Sequence, residues 1–123
     1  GHTVCLSLGF ARRPTPAAVR DALAAWLARA ELAPWLARCP SAPAAPVLVT
    51  EAPDRPQPRR DVMAGDGMSV VVGRVREDAL LDVKCVVMGH NTIRGAAGGS
   101  ILNAELCVLG APGVPPLAAL AGA

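Results

Sequence analysis

The chain is organised around HNTIRGAAGGSILNAEL, residues 90–106. Asn91 and Thr92 open this stretch, and either can cap a helix because a short polar side chain accepts the free N–H groups of the first turn. Apolar residues then recur at helical spacing, at Ile93, Ala97, Ile101, Ala104 and Val108. The pattern predicts a helix with one apolar face, and it favours a loop or capping role for His90.

Three glycines lie inside this predicted helix: Gly95, Gly98 and Gly99. Each costs about 1 kcal/mol relative to alanine in a helix interior. A helix that contains three glycines needs a reason, and the usual one is that another group packs closely against the side of the helix that carries them. Tight packing on a sheet is one explanation and is favoured by the spacing alone, and a backbone or flat ligand against that face is the other.

The residues before this helix predict further elements. Thr3 to Phe10 alternates, which indicates a strand that buries Val4, Leu6, Leu8 and Phe10 on one face. Thr15 and Pro16 then start a helix. Its apolar stripe is Val19, Leu23, Trp26, Leu27 and Ala30. Pro34 should end this helix near Ala33, since the residue before a proline avoids helical geometry.

The middle of the chain predicts most of the sheet. Residues 47–50 form a short apolar strand, residues 53–58 are extended by three prolines, and residues 64–67 form a turn. Residues 69–75 and 82–88 form an antiparallel pair, and the second of these strands should be central because both of its faces are apolar. The predicted fold is α+β, a mixed, largely antiparallel sheet with helices on one face.

Composition excludes several classes of protein. A chain of 123 residues has the length of one domain. Hydrophobic residues are 52%, charged residues 18% and aromatic residues only 2% of the chain, so the core must be aliphatic. A net charge of +2 argues against nucleic acid and anionic membranes as partners, and no apolar run approaches the roughly 20 residues of a membrane span. The four cysteines form no C-x-x-C pair, so we expect no metal and a reducing compartment.

Five motifs of the chain resemble motifs of a known enzyme family, and they occur in the same order as in that family. They are Gly1-His2-Thr3 before the first strand, Ser41-Ala42-Pro43, EAPDRPQPR (51–59), VGRVRED (72–78) and the stretch 90–106. Together they are similar to aspartate-β-semialdehyde dehydrogenase in its fungal and archaeal branch. The resemblance extends over residues 1–109, whereas the predicted irregular tail, residues 110–123, has no counterpart.

The resemblance implies an oxidoreductase of amino-acid biosynthesis that uses NADP. It implies that residues 1–109 are the C-terminal catalytic and dimerisation domain, whose last helix (about 90–109) packs on a nucleotide domain. The expected partners are a second copy of the chain, in a homodimer or homotetramer, and the substrates aspartyl phosphate and aspartate semialdehyde. The expected location is the cytoplasm, or the plastid if a transit peptide precedes the chain.

His2 is the leading catalytic candidate. An imidazole titrates near neutrality, so it can accept and return a proton in each cycle. His2 could also be an expression-tag remnant or an ordinary strand-end residue, although the strand-like continuation Thr3-Val4-Cys5 argues against a remnant. The resemblance implies that His2 is the general acid/base.

Asn91 is the candidate cofactor residue. From its position it is a helix cap, and the resemblance implies that its side chain contacts the nicotinamide end of NADP; the two roles are compatible. Arginines 55, 59, 60, 74 and 76 could form a phosphate patch, but a solvated, ion-paired surface is the favoured interpretation.

The sequence also departs from the family. The cysteine–asparagine motif of the nucleophile, the glycine-rich nucleotide-binding turn and the substrate-binding arginine before the histidine are absent. We therefore expect a missing N-terminal half, and no catalysis by these residues alone. The alternative is a non-catalytic homodimerisation module derived from the family. A third possibility is the related reductase of acetylglutamyl phosphate, which the motifs resemble less.

Overall fold

The computed structural model describes residues 1–26 and 31–114. Within them, the strands are β1 (His2–Leu8), β2 (Val47–Thr50), β3 (Val70–Glu77) and β4 (Val83–Gly89). The helices are α1 (Pro16–Ala24), α2 (Ala33–Leu36), α3 (Pro58–Asp61) and α4 (Gly98–Leu109). A π-helical turn, Ile93–Ala97, leads directly into α4.

The strands lie in the order β1-β4-β3-β2. β4 pairs antiparallel with β1 and β3, whereas β2 pairs parallel with β3. The predicted α+β class with a mixed, largely antiparallel sheet is therefore confirmed. β4 is central as expected, and its side chains Val83 and Met88 are 0% and 1% exposed.

The core lies between α1 and the sheet. The Thr15 hydroxyl accepts the Ala18 N–H at 3.1 Å and so caps α1, which buries Val19 against Val72 and Val83. On the other face, Gly73 allows the backbone carbonyl of Arg55 to approach so closely that a Cβ would collide with it. Helix α1 therefore covers one face, as predicted, and the proline-rich segment lies on the other.

The expectation of a buried face on β1 is wrong for Val4, Leu6 and Phe10, whereas Leu8 is half-buried and packs against the core. Val4 and Leu6 are 39% and 37% exposed, and Phe10 lies beyond the strand and is also exposed. β1 is one of the two edge strands of the sheet, and α1 packs on β2 and β3 rather than over it. Alternation predicted the strand correctly, but it could not tell which element covers it.

The first helix is shorter than predicted. α1 ends at Ala24, and Pro34 does not terminate it but lies in the first turn of the separate helix α2. Leu27 and Ala30, two members of the predicted apolar stripe, lie outside the described residues. No helix among the described residues has the length and apolarity to cross a membrane.

The last helix buries a different face from the one predicted. Leu102 and Leu106 are buried with Met68 and Cys39. Four members of the predicted stripe are instead exposed: Ala97, Ile101, Ala104 and Val108. The helix has two apolar faces, and periodicity alone cannot identify the one that packs on its own chain.

Helix α4 ends at Gly110, which adopts the left-handed conformation with φ 70°. Residues 111–114 are irregular, as expected for the start of the tail, but Ala111 is buried against α4. The rest of the predicted irregular tail, residues 115–123, lies outside the described residues.

Candidate functional site

The candidate site lies where β1 and β4 meet the π-helical turn. In the antiparallel ladder, His2 is opposite Gly89 and Val4 is opposite Val87. The chain leaves β4 at Gly89 and continues through His90 and Asn91 into the turn. Strand pairing thus brings residues from opposite ends of the sequence to one end of the sheet.

A cavity of about 400 Å³ opens at this place, and we call it the cleft. Valine side chains of the sheet, among them Val4 and Val87, form its apolar lining. His2 and Asn91, the two residues selected from the sequence, both line it. The imidazole of His2, which can carry a proton, and the amide of Asn91 therefore lie in the same cleft, next to the apolar valine side chains that we call its floor.

His90 caps the turn, and the prediction that Asn91 or Thr92 supplies the cap is wrong. The Nδ1 atom of His90 accepts the backbone N–H groups of Thr92 at 3.1 Å and Ile93 at 3.0 Å. Because Nδ1 accepts both bonds, a neutral His90 carries its ring proton on Nε2. An imidazole is a less common cap than a short polar side chain, which is why the pattern favoured its neighbours.

The Asn91 side chain is left free by this arrangement. It is exposed, and among the described residues no hydrogen-bond partner contacts its amide. The amide can therefore both donate and accept a hydrogen bond in the cleft.

The glycines of the stretch have different environments. A Cβ at Gly98 would lie 2.6 Å from the Met68 sulfur and 2.8 Å from the Ile93 carbonyl oxygen, so this glycine permits tight internal packing. A Cβ at Gly95 would meet only the His90 carbonyl oxygen, at 3.4 Å, and Gly95 lines the cleft. Tight packing therefore explains Gly98, against Met68 and the preceding turn rather than against the sheet, whereas Gly95 leaves open space at the cleft.

Arg94 also lines the cleft, although it was not among the candidate residues predicted from the sequence. Within residues 1–26 and 31–114, no carboxylate lies within 4 Å of its guanidinium. Its position three residues after Asn91 was the available signal, because residues at that spacing share one side of a helical turn.

The arginines that were considered as a phosphate patch lie elsewhere. Arg55 binds the buried carboxylate of Asp61, and Arg60 forms an exposed ion pair with Asp54. Arg60 fits the solvated, ion-paired surface that the sequence favoured, whereas Arg55 is ion-paired with a buried carboxylate.

None of the four cysteines lines the cleft. Burial raises the pKa of the Cys39 and Cys85 thiols, which disfavours the thiolate that a nucleophile requires. Among the described residues there is also no cluster of three or more histidine, cysteine or acidic side chains that could hold a metal ion.

Comparison with known proteins identifies relatives of the chain. Residues 1–94 match the sequence profile of the semialdehyde dehydrogenase dimerisation domain. Aspartate-semialdehyde dehydrogenase of Candida albicans is 50% identical over 106 residues, and that of Saccharomyces cerevisiae is 48% identical over 108 residues. The Archaeoglobus fulgidus enzyme is 58% identical over 69 residues, which are 56% of this chain and 20% of that protein.

The fungal alignments cover 86% of this chain but 28% of each relative, so the chain spans less than a third of their length. A crystal structure of the Candida albicans aspartate-semialdehyde dehydrogenase with NADP superposes with a TM-score of 0.70 at 49% identity. The superposition covers 89% of this chain and 29% of that structure.

Proposed function

The chain belongs to the semialdehyde dehydrogenase family, as its dimerisation domain, and on that premise we propose that it is the C-terminal part of an NADP-dependent aspartate-semialdehyde dehydrogenase. The proposed reaction is the reductive dephosphorylation of L-aspartyl 4-phosphate to L-aspartate 4-semialdehyde. Its product would serve the biosynthesis of lysine, threonine and methionine. The fungal relatives, at 48–50% identity over most of the chain, support this assignment.

The observation that carries the proposal is the shared cleft. His2 and Asn91 are 89 positions apart in the sequence, yet both line one cavity with an apolar floor. A general acid/base must reach the atoms that react at the cofactor, so a histidine and a cofactor-binding amide have to share an opening. Two unrelated surface residues would not be expected to do so.

His2 is the proposed general acid/base. Its side chain is exposed at the start of β1, so an imidazole nitrogen is accessible to a partner that enters the cleft. There it would accept the proton of an attacking thiol and return a proton later in the cycle. The thiol itself must come from outside this chain, since no cysteine lines the cleft.

Asn91 and Gly95 are the residues proposed to hold the nicotinamide end of NADP. The missing side chain of Gly95 leaves open space where a flat ring can approach, and the free amide of Asn91 can bond to a carboxamide. When bound, the reduced cofactor supplies the hydride that the reaction requires. The valine floor excludes water from one side of that ring.

The proposed macromolecular partner is a second copy of the chain, because the matched profile describes a dimerisation domain. The exposed apolar side chains of β1, Val4 and Leu6, offer area for association. A homodimer is the simplest assembly, and a homotetramer built from two such dimers is the alternative.

A domain replacement tests the proposal. In the Candida albicans enzyme, this chain would replace the segment that matches it, and we call the product the hybrid enzyme. We expect dimers by size-exclusion chromatography and NADP-dependent turnover with aspartate semialdehyde and phosphate. A correctly assembled hybrid enzyme without turnover, under conditions in which the parent enzyme is active, would overturn the proposal.

One second candidate remains, a non-catalytic homodimerisation module derived from the family. Its support is that the matched profile describes a dimerisation domain and that no cysteine lines the cleft. The same experiment separates the two, because this candidate predicts an assembled hybrid enzyme that is inactive.

A further inference from the structure

His90 makes more contacts with the turn beside the cleft than a simple cap requires. Its Nδ1 atom accepts the N–H groups of Thr92 and Ile93 at 3.1 and 3.0 Å. Its backbone carbonyl accepts the Gly95 N–H at 2.9 Å, a bond that spans five residues and is characteristic of a π-helix. One half-buried residue therefore holds the backbone N–H groups of Thr92, Ile93 and the cleft-lining Gly95, all of which follow Asn91.

The Asn91 side chain depends on this arrangement for its direction. Among the described residues its amide has no partner, and its side chain is exposed. The direction of a free side chain is set by the backbone that carries it. Here the backbone N–H groups of the next two residues, Thr92 and Ile93, donate hydrogen bonds to the His90 ring.

We propose that His90 is a positioning residue for cofactor binding, which acts by holding the turn so that the Asn91 amide faces the cleft. The inference rests on the proposed function, in which Asn91 contacts the nicotinamide. His90 does not need to touch the cofactor for this role. The role requires an acceptor atom at the position of Nδ1. A neutral imidazole provides this acceptor when its proton is on Nε2.

Two substitutions separate this role from simple filling of space. In His90→Asn, the amide oxygen occupies approximately the position of Nδ1 and can accept the same two N–H groups. In His90→Gln, the acceptor moves outward to approximately the position of Nε2, beyond reach of those groups. The two variants are matched in polarity and charge and differ in where the acceptor lies.

The test uses the hybrid enzyme, with Asn91→Ala as the reference for loss of the cofactor contact. We expect His90→Gln to raise KM for NADP about five- to tenfold, the size of effect typical of one lost capping interaction, while kcat changes less than about twofold. His90→Asn should stay within about twofold of the parent in both constants. Hydrogen exchange measured by mass spectrometry should rise over residues 92–95 in His90→Gln only, with the β3–β4 peptides unchanged.

The outcomes distinguish the inference from the function on which it rests. If Asn91→Ala raises KM and His90→Gln does not, or if the two His90 variants behave alike, the positioning role is overturned and the proposed function stands. If Asn91→Ala leaves KM unchanged, the proposed cofactor contact is wrong and the positioning role is overturned with it. A general loss of thermal stability in both His90 variants, without faster local exchange, would show an ordinary structural role and also overturns the inference.

Discussion

His2 lies directly opposite Gly89 in the antiparallel ladder of β1 and β4. Gly89 is the last residue of β4, and Asn91 follows two positions later at the start of the turn. The register of this one strand pair therefore brings the histidine and the asparagine to the same cleft. A slip of one residue would turn the His2 side chain to the other face of the sheet and separate the two.

We expect His2→Asn to lower kcat of the hybrid enzyme by about 10²- to 10⁴-fold, the range for loss of a general base. KM for NADP should change little, because the proposed role of His2 is proton transfer rather than cofactor binding. Steady-state kinetics with aspartate semialdehyde and phosphate measure both constants.

The thermal unfolding midpoint is the control for this variant. His2 is exposed at the edge of the sheet and makes no side-chain hydrogen bond within the described residues. Its replacement should leave that midpoint unchanged. A kcat reduced less than threefold would show that His2 is not the general acid/base.

Gly95→Ala and Gly98→Ala form a matched pair, since both add one methyl group to neighbouring turns of one helix. At Gly95 the methyl meets only the His90 carbonyl oxygen, at 3.4 Å, and enters open space at the cleft. We expect unchanged or slightly higher stability, by up to about 1 kcal/mol, with weaker binding of NADP. Isothermal titration of the hybrid enzyme measures that affinity.

At Gly98 the same methyl would lie 2.6 Å from the Met68 sulfur and 2.8 Å from the Ile93 carbonyl oxygen. The helix must shift to accommodate it, at a cost of about 1 to 3 kcal/mol in unfolding free energy. Urea unfolding measures this loss. Equal stability of the two variants would contradict the assignment of Gly98 to packing and Gly95 to the cleft.

Much of the sheet could be predicted because its signals are local. Alternation and apolar runs marked β1, β2, β3 and β4, and the apolar pattern on both faces marked β4 as central. The exposure of β1 could not be predicted, because it depends on where α1 packs rather than on β1 itself. The register shift between Gly73 and Arg76 was missed for a similar reason, as a bulge leaves little trace in apolar periodicity.

At the site, the choice of His2 and Asn91 came from the resemblance, and pairing of β1 with β4 brought both to one cleft. A loop or capping role for His90 was expected, but its acceptance of two backbone N–H groups and the position of Arg94 in the cleft were not. An imidazole that accepts two backbone N–H groups depends on a side-chain conformation, which no spacing rule encodes. The alternative faces of α4 were indistinguishable because each carries aliphatic residues at helical spacing.

We expect the 123-residue chain alone to show no NADP-dependent turnover of aspartate semialdehyde. The cleft has no cysteine in its lining, and burial raises the pKa of the Cys39 and Cys85 thiols. Absorbance at 340 nm follows formation of the reduced cofactor, and the hybrid enzyme assayed in parallel is the positive control. Turnover by the chain alone would mean that one of its own cysteines is the nucleophile.

The ion pair between Arg55 and Asp61 should make stability depend on pH. The Asp61 carboxylate is 4% exposed, and its hydrogen bonds from Arg55, with the Gln57 N–H at 2.6 Å, hold its pKa below the ordinary value. Because the pKa is lower in the folded state, this contribution is complete above the unfolded value of about 4. It is lost as the pH falls through the folded-state pKa.

Asp61→Asn removes the titrating group and should lower the unfolding free energy at pH 7 by about 2 kcal/mol, since hydrogen bonds to a charged group are lost. Urea unfolding of the hybrid enzyme and its Asp61→Asn variant between pH 7 and pH 3 measures the difference. The gap between the two proteins should narrow as the pH falls. A gap that is the same at both ends of this range would show that the ion pair contributes no pH dependence.

The exposed apolar face of α4 should matter only in a larger assembly. Ile101 is 53% exposed, whereas its neighbour Leu102 is 7% exposed and belongs to the core. If a nucleotide domain covers this face, Ile101→Lys will place a charge in the contact and remove about 1.5 to 3 kcal/mol of apolar burial. We expect a lower thermal midpoint and reduced turnover of the hybrid enzyme, with Asn103→Lys, an exposed polar position on the same helix, as the neutral control. Equal behaviour of Ile101→Lys and Asn103→Lys would mean that this face of α4 stays in water in the assembled enzyme.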